Sequence, residues 1–140
     1  MVRYDFTHNP QTIRMSSTSV YPSFPSHEPA SSPSASVLHV HCEVTGHTIM
    51  VHPRTNGTIT CLDLIMQLHW FFEQEIESEE WRSVRTRTKR SAMKEAYERR
   101  AGGAYSASAR MKRVDYFLGQ TMFKRIVPKY EDLTWLLQTC

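Results

Sequence analysis

Hydrophobic and polar positions alternate most clearly in residues 38–52, along two short segments. A period of two predicts strands that bury one face. A two-residue turn at Thr45-Gly46 would join the strands as a hairpin and place Cys42 opposite Ile49. The predicted buried face consists of Val40, Cys42, Val44, Ile49 and Val51.

The segment after this hairpin has helical periodicity. Thr60, followed three residues later by Asp63, resembles a capping box, which marks the start of a helix. The apolar residues that follow share one helical face, and Trp70 and Phe71 are expected to widen it. This face consists of Cys61, Leu64, Ile65, Leu68 and Phe72. We expect this helix to cover the apolar face of the sheet.

A second helix is predicted from Ser78 to Arg100. Ser78 would cap it, and Glu79 and Glu80 lie in its first turn, where the helix dipole favours negative charge. Its apolar stripe is thin, which predicts a position on the surface. The stripe consists of Trp81, Val84, Thr88, Ala92 and Ala96.

The ends of the chain add further strands. Residues 2–6 alternate like a half-buried strand, residues 113–126 form a compact aromatic segment, and residues 133–139 resemble a last strand. We therefore predict a small single-domain α+β fold, in which a mostly antiparallel sheet of about four strands packs against two helices.

Composition divides this single domain into three parts. Residues 1–15 would supply the N-terminal strand, and residues 37–140 would form the main body. Between them, residues 16–36 contain nine serines and four prolines, a composition typical of a flexible loop.

The composition of the chain indicates which cellular compartment to expect for the protein. Hydrophobic residues make up 40% of the chain and charged residues 22%, as in ordinary soluble proteins. Neither a membrane-spanning apolar run nor the pattern of a signal peptide is present in the sequence. The three cysteines lack CxxC spacing, which favours free thiols in a reducing compartment. We expect an intracellular protein, cytoplasmic or nuclear, without a membrane partner.

Histidines in the hairpin are the first candidates for chemistry. In the predicted register His39 lies opposite His52, with His41 two residues along the same face, so three imidazoles could hold zinc. Cys42 points to the other face and cannot join them. We interpret the cluster as a solvated hairpin face, and we predict neither a metal nor a cofactor.

A basic run is the second candidate. Residues 82–100 contain eight Arg or Lys and two Glu. Arg82, Arg85, Lys89 and Arg90 belong to two basic stripes of the predicted helix, which could contact nucleic-acid phosphates. Aromatic residues do not alternate with the basic ones as they do in single-strand binding platforms, so a solvated charged face is the simpler interpretation.

Asp115 is the third candidate. It stands among Val114, Tyr116 and Phe117, so we expect it to be at least partly buried, and a buried carboxylate needs partners. Backbone N–H groups at a turn around Gly119 and the Arg113 side chain are the candidate partners. We predict that Asp115 stabilises this turn and performs no chemistry.

Enzyme signatures are absent from the sequence: it contains no GxSxG, HExxH, GxGxxG or P-loop pattern. Asp63 is more simply a helix cap than an acid. The function predicted from the residues is a non-catalytic protein-interaction domain with an unknown protein partner. A nucleic-acid-associated protein that uses residues 82–100 is the alternative, and an uncharacterised enzyme is the third.

A series of short patterns extends through nearly the whole chain. They are Tyr4-Asp5-Phe6 with Pro10 and Thr12; Val20-Tyr21-Pro22; Ile49 and Val51; Ile59 through Asp63 to Ile65; Arg113, Asp115, Leu118, Gly119, Phe123 and Ile126; and Trp135 with Leu137. In these patterns the chain resembles an uncharacterised fungal protein family that is common in mushroom-forming basidiomycetes, domain of unknown function 6699. The resemblance implies a fungal source and one domain of helices and strands, and it supplies no catalytic residue.

Overall fold

The computed structural model of the chain describes residues 4–10, 27–55, 57–102, 110–129 and 134–140. These residues form five strands, three α-helices and one 3-10 helix. In chain order they are β1 (Tyr4–Asp5), β2 (Leu38–Cys42), β3 (His47–Val51), α1 (Cys61–Glu73), α2 (Ser78–Ser83), α3 (Arg87–Arg100), the 3-10 helix (Arg113–Phe117), β4 (Met122–Lys129) and β5 (Thr134–Thr139).

All five strands belong to one mixed sheet with the order β1-β4-β5-β2-β3. β2 and β5 are parallel, and the other neighbouring strands are antiparallel. The α+β class is confirmed. The sheet was predicted to be mostly antiparallel with about four strands, whereas it is a mixed sheet of five strands in which one neighbouring pair is parallel. β4 was missed because its burial does not alternate and because it contains Pro128, a residue uncommon inside strands.

The β2–β3 hairpin is present with a different register. Val40 lies opposite Ile49 and Cys42 opposite His47, because residues 43–46 form a longer turn than predicted. A slip of two residues leaves every side chain on its predicted face. Leu38, Val40, Cys42, Ile49 and Val51 are therefore buried. Val44 was placed wrongly, since it lies in the turn and is exposed.

Helix α1 begins with the predicted capping box. The Thr60 hydroxyl accepts a hydrogen bond from the Asp63 backbone N–H at 3.2 Å, and the Asp63 carboxylate accepts one from the Thr60 N–H at 3.0 Å. The predicted stripe faces the core, where Leu64, Ile65, Leu68 and Phe72 are buried. Trp70 does not widen that face, because 58% of it is exposed.

The predicted second helix is two helices, α2 and α3, separated by residues 84–86. Thr86 begins α3, since its hydroxyl accepts the Lys89 backbone N–H at 3.3 Å. Arg90 binds the end of α2, where its guanidinium donates to the carbonyls of Trp81 and Val84 at 3.2 and 2.8 Å. The break also changes which residues face inward, namely Val84, Met93 and Ala96. Ser78 is not the cap of α2, because Glu77 holds the N-cap position without a side-chain hydrogen bond.

The predicted flexible loop, residues 16–36, lies partly outside the described residues. Its described part, residues 27–36, packs along the start of α1. Ala30 N–H donates to the Ile59 carbonyl and Ile59 N–H to the Ala35 carbonyl, both at 2.9 Å. Ala30 and Ala35 also contact the core.

Aromatic rings join the elements at the centre of the core. The ring centre of Phe6, just after β1, lies 5.0 Å from that of Phe72 in α1. The Phe72 ring centre lies 4.8 Å from that of Phe117 in the 3-10 helix. The 3-10 helix is thereby held between α1 and the N-terminal strand, which fixes the position of Asp115.

Within the described part of the chain, none of the helices has the length and apolar character that crossing a membrane requires.

Candidate functional site

Asp115 and Arg100 form a buried ion pair between the 3-10 helix and the last turn of α3. Arg100 Nε donates to Oδ1 at 2.9 Å and Nη2 to Oδ2 at 2.8 Å. The Lys112 backbone N–H also donates to Oδ2 at 2.8 Å. Only 2% of Asp115 is exposed. The hydrogen bond to this carboxylate raises the pKa of Arg100 above its ordinary value, although burial acts in the opposite direction.

The predicted partners of Asp115 need correction. Arg113 does not pair with it, because residues 113–117 form a 3-10 helix in which residues two apart do not share a face. The bonded backbone N–H belongs to Lys112, before Asp115, and not to the turn around Gly119. Sequence reasoning missed Arg100, since nothing local links residues fifteen positions apart.

Arg113 belongs to a second ionic cluster, between the 3-10 helix and α2. Its Nη2 donates to Glu80 Oε1 at 2.6 Å, and its guanidinium lies 4.3 Å from the centre of the Phe71 ring. Its Nη1 also donates to the Gln74 side chain at 2.5 Å. Burial raises the pKa of Glu80, but the hydrogen bond and charge of Arg113 outweigh it and leave this pKa below its ordinary value.

His47 lies beside this cluster. Its Nε2 is 3.7 Å from Glu80 Oε2, and its ring packs edge-on against Phe71 at 5.2 Å. His47 Nδ1 is buried, and the described residues offer it no hydrogen-bond partner. In this cluster the Glu80 carboxylate is already paired with Arg113. His47 contacts the same carboxylate only at long range.

A pocket of about 460 Å³ opens next to the Asp115–Arg100 pair. It is lined by Thr7, Ala96, Arg99, Arg100, Val114, Asp115, Gly119 and Thr121. Arg99 is exposed, and its Nε donates to the backbone carbonyl of Glu95 in the same helix at 3.4 Å. The pocket therefore has the cationic Arg99 on one wall, the Asp115–Arg100 pair beside it, and a partly apolar lining.

Residues 2–133 of the chain match the family of unknown function DUF6699. The chain belongs to this family. Neither a curated protein nor a solved structure matches it. For this DUF6699 protein, candidate chemistry must therefore be judged from its own side chains.

The three histidines of the candidate zinc site in this DUF6699 protein do not face one another as predicted. His39 lies opposite Met50, and His41 opposite Thr48, whose hydroxyl is 3.0 Å from His41 Nδ1. His52 lies beyond the end of β3, and its backbone bonds the Gln67 side chain of α1. The described residues contain no group of three or more His, Cys, Asp or Glu arranged to hold a metal ion.

The four basic candidates divide into two pairs. Arg82 and Arg85 are exposed. Lys89 donates to the Val44 carbonyl at 3.3 Å and lies 5.6 Å from the Tyr116 ring centre, while Arg90 binds the end of α2 and lies 5.4 Å from the Trp81 ring centre. Lys89 and Arg90 therefore join elements of the fold. The predicted stripe of Arg82, Arg85 and Lys89 is interrupted, because residues 84–86 between the two helices belong to neither of them.

The remaining motif residues of the DUF6699 chain have structural contacts. Asp63 caps α1 and also accepts Arg54 Nε at 2.6 Å. Gly119 has a φ of +91°, a conformation that side chains disfavour. Phe123 lies edge-on to the buried Phe6 ring at 6.1 Å, and the half-buried Trp135 packs against the core.

Proposed function

We propose that this DUF6699 chain is a non-catalytic protein-interaction domain that binds an acidic segment of a protein partner. The observation that carries the proposal is a group of exposed cations at the α2–α3 junction. Residues 81–94 contain six Arg or Lys and neither Asp nor Glu. Arg82, Arg85 and Arg87 are exposed, and their side chains make no hydrogen bond or ion pair to other described residues. We call these three residues the arginine row.

Three buried or half-buried carboxylates support a non-catalytic role. Asp63, Glu80 and Asp115 each pair with an arginine: Asp63 also caps a helix, Glu80 joins α2 to the 3-10 helix, and Asp115 joins that helix to α3. A general acid or base needs a carboxylate that can exchange a proton with a substrate. Although burial raises the pKa of Asp63 and Glu80, their hydrogen bonds, those from arginine among them, leave both pKa values below the ordinary value and so favour the charged form.

A protein partner is favoured over nucleic acid by the surroundings of the arginine row. Stacking platforms for single strands need exposed aromatic faces among the cations. Here the Trp81 ring lies under Arg90 and Lys94, at 5.4 and 6.0 Å, and Tyr116 is buried. Three arginines on a short bent segment can contact a few carboxylates, but they offer little of the phosphate neutralisation on which nucleic-acid affinity depends.

Fluorescence anisotropy would test this proposal with two probes, a labelled ten-residue glutamate-rich peptide and a labelled DNA of similar charge. We expect the peptide to bind and an Arg82→Gln, Arg85→Gln, Arg87→Gln variant to lose that binding, because exposed charges account for it. Arg110→Gln, an exposed arginine elsewhere, is the matched control. Tighter binding of DNA that persists at physiological salt would favour the nucleic-acid alternative and refute the proposal.

An intracellular location is part of the proposal, and so is a fungal, basidiomycete source. Free Cys42, Cys61 and Cys140 support a reducing compartment. The family resemblance described above supports the fungal source.

A further inference from the structure

We infer that the pocket beside the Asp115–Arg100 pair binds a small organic anion, with a carboxylate or phosphate head and a short apolar body. This inference does not depend on the proposed function, because the arginine row lies near the opposite end of α3. Arg87 and Arg99 are twelve residues apart, or about 18 Å along a helix.

The charge of the pocket is the first argument. Its lining carries two guanidinium groups and one carboxylate. Arg100 and the Lys112 N–H already bind the Asp115 carboxylate, so its charge is compensated. Arg99 pairs with no carboxylate among the described residues. The Arg99 guanidinium therefore places one uncompensated positive charge on the wall formed by the end of α3.

Unused hydrogen-bond donors are the second argument. Both terminal nitrogens of Arg99 and Nη1 of Arg100 lack a partner within the described part of the chain. The same holds for the backbone N–H of Gly119, which lines the pocket. An arginine fork and a backbone N–H are the groups with which proteins recognise carboxylate and phosphate oxygens.

The other lining residues indicate the rest of the ligand. Thr7 cannot donate to an anion at the same time, since its hydroxyl donates to the Asp5 carboxylate at 2.7 Å. Ala96 and Val114 supply apolar surface. A volume of about 460 Å³ falls within the range of small-molecule sites and exceeds what a bare inorganic ion fills. A short apolar body attached to the anionic head would occupy this space.

The position of Arg99 also has a simpler explanation. Arginine in the last turn of a helix interacts favourably with the helix dipole, without any ligand. If that effect were the whole explanation, Arg99 would bind no ligand, and replacing it would not change the binding of an anion. That effect does not account for a pocket of this size between the arginines and Gly119. A Cβ at Gly119 would lie 4.0 Å from Arg99 Nη2.

Amide chemical shifts of the full chain, titrated with butyrate, butyl phosphate and uncharged butanol at constant ionic strength, test the inference. We expect saturable shifts at Gly119 and Thr121 with butyrate, butyl phosphate or both, but not with butanol. The anion that binds more tightly identifies the head group. Arg99→Gln should weaken binding about fivefold or more, because hydrogen bonds to a charged group are lost.

Arg125→Gln is the matched control and should bind like the wild type, because Arg125 is exposed on β4 and does not line the pocket. Both variants should keep the wild-type unfolding midpoint, which shows that lost binding does not come from lost folding. The inference is refuted if neither anion gives saturable shifts. It is equally refuted if butanol gives the same shifts, or if Arg99→Gln binds as tightly as Arg125→Gln.

Discussion

Replacing Asp115 by alanine tests whether the ion pair with Arg100 holds the domain together. The change removes two hydrogen bonds to Arg100 and one to the Lys112 N–H. It leaves a guanidinium whose side chain is only 22% exposed without its counter-charge. Removing one partner of a buried pair costs about 3–5 kcal/mol of unfolding free energy. The partial exposure of Arg100 places our expectation near ~3 kcal/mol.

Urea unfolding followed by circular dichroism measures this loss directly. Arg110→Ala is the matched control, because its pair with Glu75 is exposed at 74% and 56% of the two side chains. The control should lose at most about 1 kcal/mol. In the double variant Arg100→Ala, Asp115→Ala, the losses should be far from additive, because each single change strands the other charge. An Asp115→Ala loss below about 1 kcal/mol, the level of a surface pair, would refute this reasoning.

Three further predictions concern caps, strain and pH. Thr60→Ala should lower the unfolding free energy by about 0.5–2 kcal/mol in the same assay, because the α1 capping box loses its hydroxyl; an unchanged midpoint would contradict it. Gly119→Ala should cost about 1–3 kcal/mol, since its φ is +91°, and wild-type stability would show that the turn relaxes freely. Because Arg113 keeps the pKa of Glu80 below its ordinary 4.5, this pair should stabilise the fold above that pH and lose its effect as the pH falls through the lowered value. Urea midpoints at pH 6 and pH 3 should therefore differ less in Glu80→Gln than in the wild type, and equal differences would exclude this contribution.

Local sequence patterns correctly predicted helix α1 and the buried face of the hairpin, because in both the buried residues lie close together in the sequence. The stripe ending at Phe72 and the capping box at Thr60 are both contained within α1, so periodicity was sufficient to identify that helix. In the hairpin, alternation fixed which face is buried, but it did not fix the register. A longer turn moved the pairing by two residues and separated His39 from His52.

Long-range pairing explains what the sequence could not reveal. β5 lies parallel to β2, although almost a hundred residues separate them, and no local signal encodes that neighbour. Arg100 with Asp115, and Glu80 with Arg113, likewise meet only after the helices have packed. The break before Thr86 did have a local signal. Threonine is a common N-cap, but the closely spaced basic residues on both sides of Thr86 suggested one uninterrupted helix.

The most direct test of the proposed function is quantitative affinity capture from an extract of the source organism, with wild-type and arginine-row-variant chains compared by mass spectrometry. We predict a protein that contains an acidic segment, is recovered by the wild type, is reduced at least about tenfold with the Arg82→Gln, Arg85→Gln, Arg87→Gln variant, and binds again as a purified component. Equal recovery of the same proteins by both chains would contradict the account. So would selective recovery of nucleic acid by the wild type.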